Sequence, residues 1–130
     1  MKPYRVLVTG SRTWEDVSTL RGALNDVLTG LPNLATPVTV VHGDCLHGAD
    51  RQASVWVRDA KGGPLFVVTE EKHPANWQLN GKRAGFIRNQ LMVNLGADLC
   101  LAFVKDGSRG ASHTAGLAEA AGIETRRFTA

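Results

Sequence analysis

Four short segments of this 130-residue chain combine glycine with small polar or basic side chains. That composition lets a backbone approach a phosphate and hold it. In Thr9-Gly10-Ser11-Arg12-Thr13, Gly10 permits close approach, Ser11 offers a hydroxyl, and Arg12 can pair with phosphate through two parallel hydrogen bonds. Read as structure alone, the same residues make an ordinary strand-to-helix turn with a surface arginine. The dinucleotide fingerprint is not met, because Gly10-Ser11-Arg12-Thr13-Trp14-Glu15 lacks the second and third glycines. The second segment, His42-Gly43-Asp44-Cys45-Leu46-His47-Gly48-Ala49-Asp50, sets two glycines five residues apart before a helix. Ala49 and Asp50 stand where a P-loop needs Lys and Ser/Thr, which argues against a P-loop NTPase. Asp44 suits acceptance from ribose hydroxyls or from a magnesium-bound water, so Mg2+ accompanying a nucleotide is the one cofactor to consider. Asp50 either caps the helix that follows or touches ligand. A metal site from His42, Asp44, Cys45 and His47 would require the loop to converge those side chains, and none is assigned.

The third segment runs from Asn80 to Met92. Its Gly81-Lys82 is no Walker element, since Asn76 occupies the first-glycine position. Gly85, Arg88 and Met92 fall on one helical face, with Asn89 beside them, so Arg88 projects from a close-packed stripe. An arginine there calls for an anionic partner, either an internal acid such as Asp44 or a ligand phosphate. In the fourth segment, Phe103 to Thr114, the small residues Gly107, Ser108 and Gly110 open a helix and leave unpaired amides for a phosphate. Ser108 and Ser112 add hydroxyls, and Arg109 adds charge. The alternative is a flexible loop with a helix cap; His113 alone carries little.

These segments must be positioned by the elements between them. Tyr4–Thr9 reads as a strand, Asp16 to about Thr29 as an amphipathic helix, Val38–Val41 as a second strand and Ala49–Ala60 as a second helix. Leu65–Val68 supplies a third strand, and Glu70 to Asn80 is expected to be a long, mobile connection. Trp77 within it either closes over a base or packs as loop core. A helix over Lys82–Leu95, with Ile87, Leu91 and Leu95 spaced by four, precedes a strand at Asp98–Phe103. An alanine-rich helix ending near Gly122 and a strand at Ile123–Phe128 close the pattern. Apolar strands separated by helices predict parallel pairing with right-handed crossovers. The expected fold is α/β: a Rossmann-like, doubly wound, mainly parallel five-stranded sheet with helices on both faces, as one domain over residues 1–130. Ligands of such sheets bind beyond the carboxyl ends of the strands, where all four segments lie.

Cys45 and Cys100 are far apart and form no C-x-x-C pair, so reduced thiols are expected, with Cys100 in a buried strand. No apolar run approaches the roughly 20 residues of a membrane helix, and no signal-peptide pattern precedes the first strand. A cytoplasmic location is the expectation. The formal net charge of +3 suits an anionic small molecule, but without a dense basic run it does not point to nucleic acid.

Taken in order, Val8-Thr9-Gly10-Ser11-Arg12, His42-Gly43-Asp44 with Gly48-Ala49-Asp50, Ala84-Gly85-x-x-Arg88-Asn89-x-x-Met92, and Ala102-Phe103 with Gly107-Ser108-Arg109-Gly110 resemble the SLOG superfamily. That group contains the DprA/Smf proteins and the LOG nucleoside-monophosphate phosphoribohydrolases. The likeness is greatest to its small stand-alone YspA-like branch, found in actinobacteria and their phages. It implies a Rossmann-like fold that binds nucleotides or nucleotide-derived ligands, and a homodimer or higher homo-oligomer through helical faces. Arg88 and Met92 match the Arg-x-x-x-Met element of the LOG enzymes. Gly107 to Thr114 keeps two glycines of their Pro-Gly-Gly-x-Gly-Thr-x-x-Glu element, but Thr114 stands at the catalytic glutamate. A threonine cannot stabilise a developing ribosyl cation as a carboxylate does; Asp44 or Glu119 would have to substitute.

The leading expectation is therefore a nucleotide-binding sensor or sequestering module, with Gly10, Ser11, Arg12, Gly43, Asp44, Arg88, Asn89, Gly107, Ser108, Arg109, Gly110 and Ser112 as ligand-binding residues. The alternative is a LOG-like phosphoribohydrolase acting through Arg88 and Asp44. A second alternative is DprA-like binding of single-stranded DNA, disfavoured by the modest charge and few interleaved aromatics.

Overall fold

The computed structural model describes residues 2–130. Strands β1 (Tyr4–Gly10), β2 (Val38–His42), β3 (Val68–Lys72), β4 (Leu99–Val104) and β5 (Glu124–Thr129) form one sheet in the order β3-β2-β1-β4-β5. Every pairing is parallel. Helices α1 (Val17–Thr29) and α2 (Ala49–Lys61) connect the first three strands. The chain then returns across the sheet through α3 (Trp77–Asn80), a 3-10 turn at Gly81–Arg83 and α4 (Ala84–Asn94) to place β4 beside β1; α5 (Arg109–Ala120) leads to β5. Strand order reverses between β1 and β4, and the loops leaving these two strands diverge there.

The two faces follow from side-chain alternation. Val6 and Val8, Val38 and Val40, and Leu99, Leu101 and Phe103 meet Leu20 and Leu24 of α1 and Ala53, Trp56 and Val57 of α2. Leu7, Val41 and Cys100 point the other way, against Met92 and Val93 of α4 and Ala118 of α5. Phe103 is fully buried between Trp14 and Phe128, with ring centroids 5.4 and 5.0 Å away. Burial of such a ring contributes about 2–3 kcal/mol, and its carbonyl fastens the first loop of the site. The Asp16 carboxylate accepts the Thr19 amide and starts α1 as an N-cap.

Two expectations need correction. The third strand spans Val68–Lys72 rather than Leu65–Val68, and Leu65 and Val67 are exposed. As an edge strand it is not covered on all sides, so its polar Thr-Glu-Glu-Lys run outranks the more apolar residues before it. The connection from Glu70 to Asn80 is not structureless: it holds the end of β3 and α3, whose N-cap Asn76 accepts the Leu79 amide. In α4 the regularly spaced Ile87, Leu91 and Leu95 face outward, while Ala84, Asn89, Met92 and Val93 are buried. No described helix is long and apolar enough to cross a membrane.

Candidate functional site

At the strand-order reversal, β1 and β4 are tied together beyond their last residues. The Ser11 amide donates to the Phe103 carbonyl at 2.9 Å, and Ser11 Oγ accepts the Lys105 amide at 2.8 Å. The Ser11 carbonyl in turn accepts from the Trp14 and Ala49 amides, fixing the turn to α1 and to the start of α2. Ser11 is thus a strut between loops rather than a free hydroxyl. Gly10 is dictated by packing as well: a Cβ there would lie 2.3 Å from Ala49 Cβ and 2.9 Å from the Phe103 carbonyl oxygen. Gly48 has φ +76, and a Cβ on it would meet the Ser11 carbonyl oxygen at 2.2 Å. These contacts leave the Arg12 and Thr13 amides without an acceptor among the described residues.

Arg88 comes from α4 and crosses toward the loop after β2. Its Nη1 donates to the Gly43 carbonyl at 2.6 Å and to the His73 carbonyl at 3.3 Å; its Nε donates to Asn89 Oδ1 at 2.7 Å. Gly43 makes room for it, since a Cβ there would sit 2.2 Å from Nη1. The expected internal acid is not the partner: every acceptor is a neutral oxygen, and Nη2 has no acceptor among the described residues. Asn89 is buried and uses its carbonyl to orient this guanidinium. On the other side of the cleft, the N-cap Ser108 of α5 makes no side-chain capping bond. The Arg109, Gly110 and Ala111 amides therefore remain the open donors of a helix start.

Between these parts lies a cleft of about 390 Å3. Of the residues expected from sequence, Gly10, Ser11, Arg12, Gly43, Arg88, Asn89, Ser108 and Gly110 line it. Asp44 does not. It lines an adjoining recess of about 260 Å3 with Arg12, Cys45, His47, Trp77 and Arg88, and its carboxylate lies 4.0 Å from Lys72 Nζ. Gly107, Arg109 and Ser112 line neither space. Gly107 (φ +64) and Asp106 (φ +53) instead shape the turn into α5.

Trp77, half exposed on α3, stands at the mouth with the Arg12 guanidinium 5.8 Å from its ring centroid. Lys82, Phe86, Cys45 and Asp50 also line the cleft. Of these, Asp50 and Trp77 are legible in sequence as a helix-start acid and an aromatic in a long connection; Lys82 and Phe86 carry no signal that separates them from ordinary helix residues. Among the described residues, no ion pair involves Arg12, Lys82 or Arg88. The Cys45 thiol is pushed up from its ordinary pKa, first by burial and then by the Asp50 charge, against the pull of Arg88 and Arg12. It remains a neutral lining group.

The loop after β2 is held by His42, whose Nδ1 accepts the Asp44 amide at 3.0 Å while Nε2 lies 2.6 Å from Glu70 Oε2. This fixes the tautomer with the proton on Nε2, and Asp44 takes a left-handed φ of +57. Burial works to raise the Glu70 pKa, but hydrogen bonds from His42 and Ser54 outweigh it and the carboxyl stays below its usual range. Both ring nitrogens of His42 are engaged. His42, Asp44, Cys45 and His47 do not come together as metal ligands.

Two further positions are now placed. Thr114 is buried, with Oγ1 donating to the Gly110 carbonyl of its own helix at 3.1 Å. Glu119 pairs with Arg127 and lines neither space.

A family model described as YspA, cpYpsA-related SLOG matches residues 4–79, from β1 into α3. The Gene 61 protein of Mycobacterium phage D29 is 44% identical over 124 residues, covering 95% of each chain. This chain belongs to the YspA-related SLOG family. No solved structure matches it. The residues matched by the SLOG model carry the Gly10–Arg12 turn, the Gly43–Asp50 loop and Trp77. Arg88 and the α5 start follow beyond them.

Proposed function

We propose that this SLOG protein binds a nucleotide or nucleotide-derived phosphate ligand in the cleft between β1 and β4, as a sensor or sequestering module. The observation that carries this is the Arg88 guanidinium, held inside the cleft by neutral oxygens only. Like Arg12 and Lys82 it forms no ion pair among the described residues, so three cations share this space with one acid, Asp50, and the α5 amides open toward it. A partly buried cation without an ion-pair partner is costly, and a phosphate would supply that charge together with acceptors for Nη2 and the amides. Trp77 offers a face on which a base can stack. Mg2+ would enter only with the nucleotide's phosphates.

Hydrolysis of the N-glycosidic bond draws less support, because Asp44 lies off the main cleft, Glu119 is engaged by Arg127, and the Thr114 hydroxyl is turned into its helix. Self-association is also proposed, through the outward stripe of Ile87, Leu91 and Leu95. The neighbouring Gln90 and Asn94 are uncharged and hydrogen-bonded to each other, so two copies could pair there without like-charge repulsion. Sedimentation of Leu91→Glu against the parent chain tests that pairing.

Isothermal titration calorimetry with AMP, ADP and ADP-ribose tests the binding reading. Micromolar affinity for at least one of them is expected, weakening with salt. Affinities no tighter than millimolar for all three would overturn it.

A further inference from the structure

The cleft contains one group that a phosphate would repel. Asp50 is the only acidic side chain lining it among the described residues, and it is 6% exposed. It stands in the first turn of α2, where the helix dipole favours a negative charge. Its Oδ2 accepts the Cys45 amide at 3.3 Å. The Cys45 thiol is the other donor beside this carboxylate. The buried side-chain polar atom that lacks a partner among the described residues is Gln52 Oε1, not an oxygen of Asp50. A carboxylate offers about four acceptor sites, so Asp50 lines the cleft with more acceptor capacity than the two Cys45 donors fill.

An ionised carboxylate can only accept hydrogen bonds, so the part of the ligand beside it must donate. Two parts of a nucleotide can: the sugar hydroxyls and an exocyclic amine of the base. Position decides between them. Arg88 Nη1 holds the Gly43 carbonyl and Asp50 the Cys45 amide, two residues along the same loop, so the carboxylate lies near the Arg88 guanidinium at the buried end of the cleft, while Trp77 is half exposed. In a nucleoside 5′-phosphate the group next to the phosphate is the ribose, whereas the flat base belongs farther out, against Trp77. We propose that Asp50 recognises the sugar, its carboxylate accepting from a ribose hydroxyl, which makes the site selective for nucleotides that keep their sugar hydroxyls. This rests on the nucleotide-binding reading above.

The test compares AMP with 2′,3′-dideoxy-AMP and with IMP by calorimetry, on the unaltered protein and on Asp50→Asn. The asparagine can keep its carbonyl on the Cys45 amide while replacing the open acceptor by a donor. The unaltered protein should bind AMP at least about tenfold more tightly than the dideoxy analogue, the ordinary effect of a hydrogen bond to a charged group. IMP should bind within about threefold of AMP, the scale on which neighbouring contacts alone vary. Asp50→Asn should erase the hydroxyl preference chiefly by weakening AMP. Equal affinity for AMP and the dideoxy analogue, or a preference that survives in Asp50→Asn, overturns the proposal and leaves phosphate binding standing. A preference for AMP over IMP without one for the hydroxyls overturns it in favour of base reading. Failure of all three nucleotides to bind overturns this proposal, and the binding reading falls with it only if ADP and ADP-ribose fail as well.

Discussion

The two halves of the ligand-side edge treat charge in opposite ways. Along β2 and β3 each charge is answered: Glu70 by His42 and Lys72, Asp44 by Lys72, and Glu71 by Arg5 and His73. At β1 and β4 the cationic groups Arg12, Lys82 and Arg88 face a common cleft and form no ion pair among the described residues; neutral oxygens, an aromatic ring and the single acid Asp50 line it with them. Closed pairs make rigid walls, and surface pairs of this kind add little to stability themselves. Unanswered cations in a concave space hold a potential that attracts anions. The first region is therefore scaffold and the second is where a ligand would bind, although both are equally polar in sequence.

The largest effect is expected where scaffold and site share backbone. Gly48→Ala would force a side chain into the Ser11 carbonyl at a left-handed φ. Strain and overpacking together should cost about 3 kcal/mol, read as a lowered urea midpoint. An alanine accepted there with less than about 0.5 kcal/mol of loss, the level of an ordinary surface change, would mean the two loops are not locked together.

Arg88 separates the regions more directly. Arg88→Met should weaken nucleotide binding by roughly tenfold to a hundredfold, the value of a charge-assisted hydrogen bond. Gly43→Ala reaches the same end without touching charge: its Cβ would occupy the place of Nη1, and the flexible guanidinium must swing away. It should lose binding nearly as far while the folding midpoint moves little. If Gly43→Ala binds nucleotide as tightly as the parent, Arg88 does not act from the position described. Arg12→Ala should be milder, a several-fold loss, because Arg12 is exposed and solvent screens its contribution.

This contrast also explains what could be read in advance. The central strands were legible because β1, β2 and β4 are buried on both faces and read as apolar runs. The edge strand β3 was not, since Thr69, Glu70 and Glu71 need little cover there, and the exposed Leu65 and Val67 imitate a strand. Within the site, Gly10, Arg12, Arg88 and Gly110 announce themselves by residue type. Asp44 and Asp50 do not, because a loop with a left-handed residue decides which of two nearby acids faces the cleft. His42, through its bond to the Asp44 amide, holds that loop. Ser11 reads as a ligand hydroxyl until the 2.8 Å bond to Lys105 is seen.

The smallest effect tests whether the scaffold's closed pairs influence the cleft. Two guanidinium hydrogen bonds from Arg5 hold the Glu71 carboxyl down to about 2, against burial and with help from His73. An unfolded glutamate titrates near ~4.3. With the folded value depressed, the stabilisation is present above that pH and is lost as pH falls toward about 2. Glu71→Gln should lower the thermal midpoint at pH 7 by an amount worth less than about 1 kcal/mol, since the pair is partly solvated. The gap should close progressively below about pH 4, in step with carboxylate titration. Glu71 also accepts from His73, whose carbonyl receives Arg88 at 3.3 Å, so the network touches the cleft at one point. Because Gly43 and Asn89 hold the same guanidinium at shorter range, nucleotide affinity should stay within about twofold, inside the reach of weak exposed contacts. A larger loss would show that the wall and the cleft are one electrostatic unit, with Arg88 positioned from β3 as much as from β2.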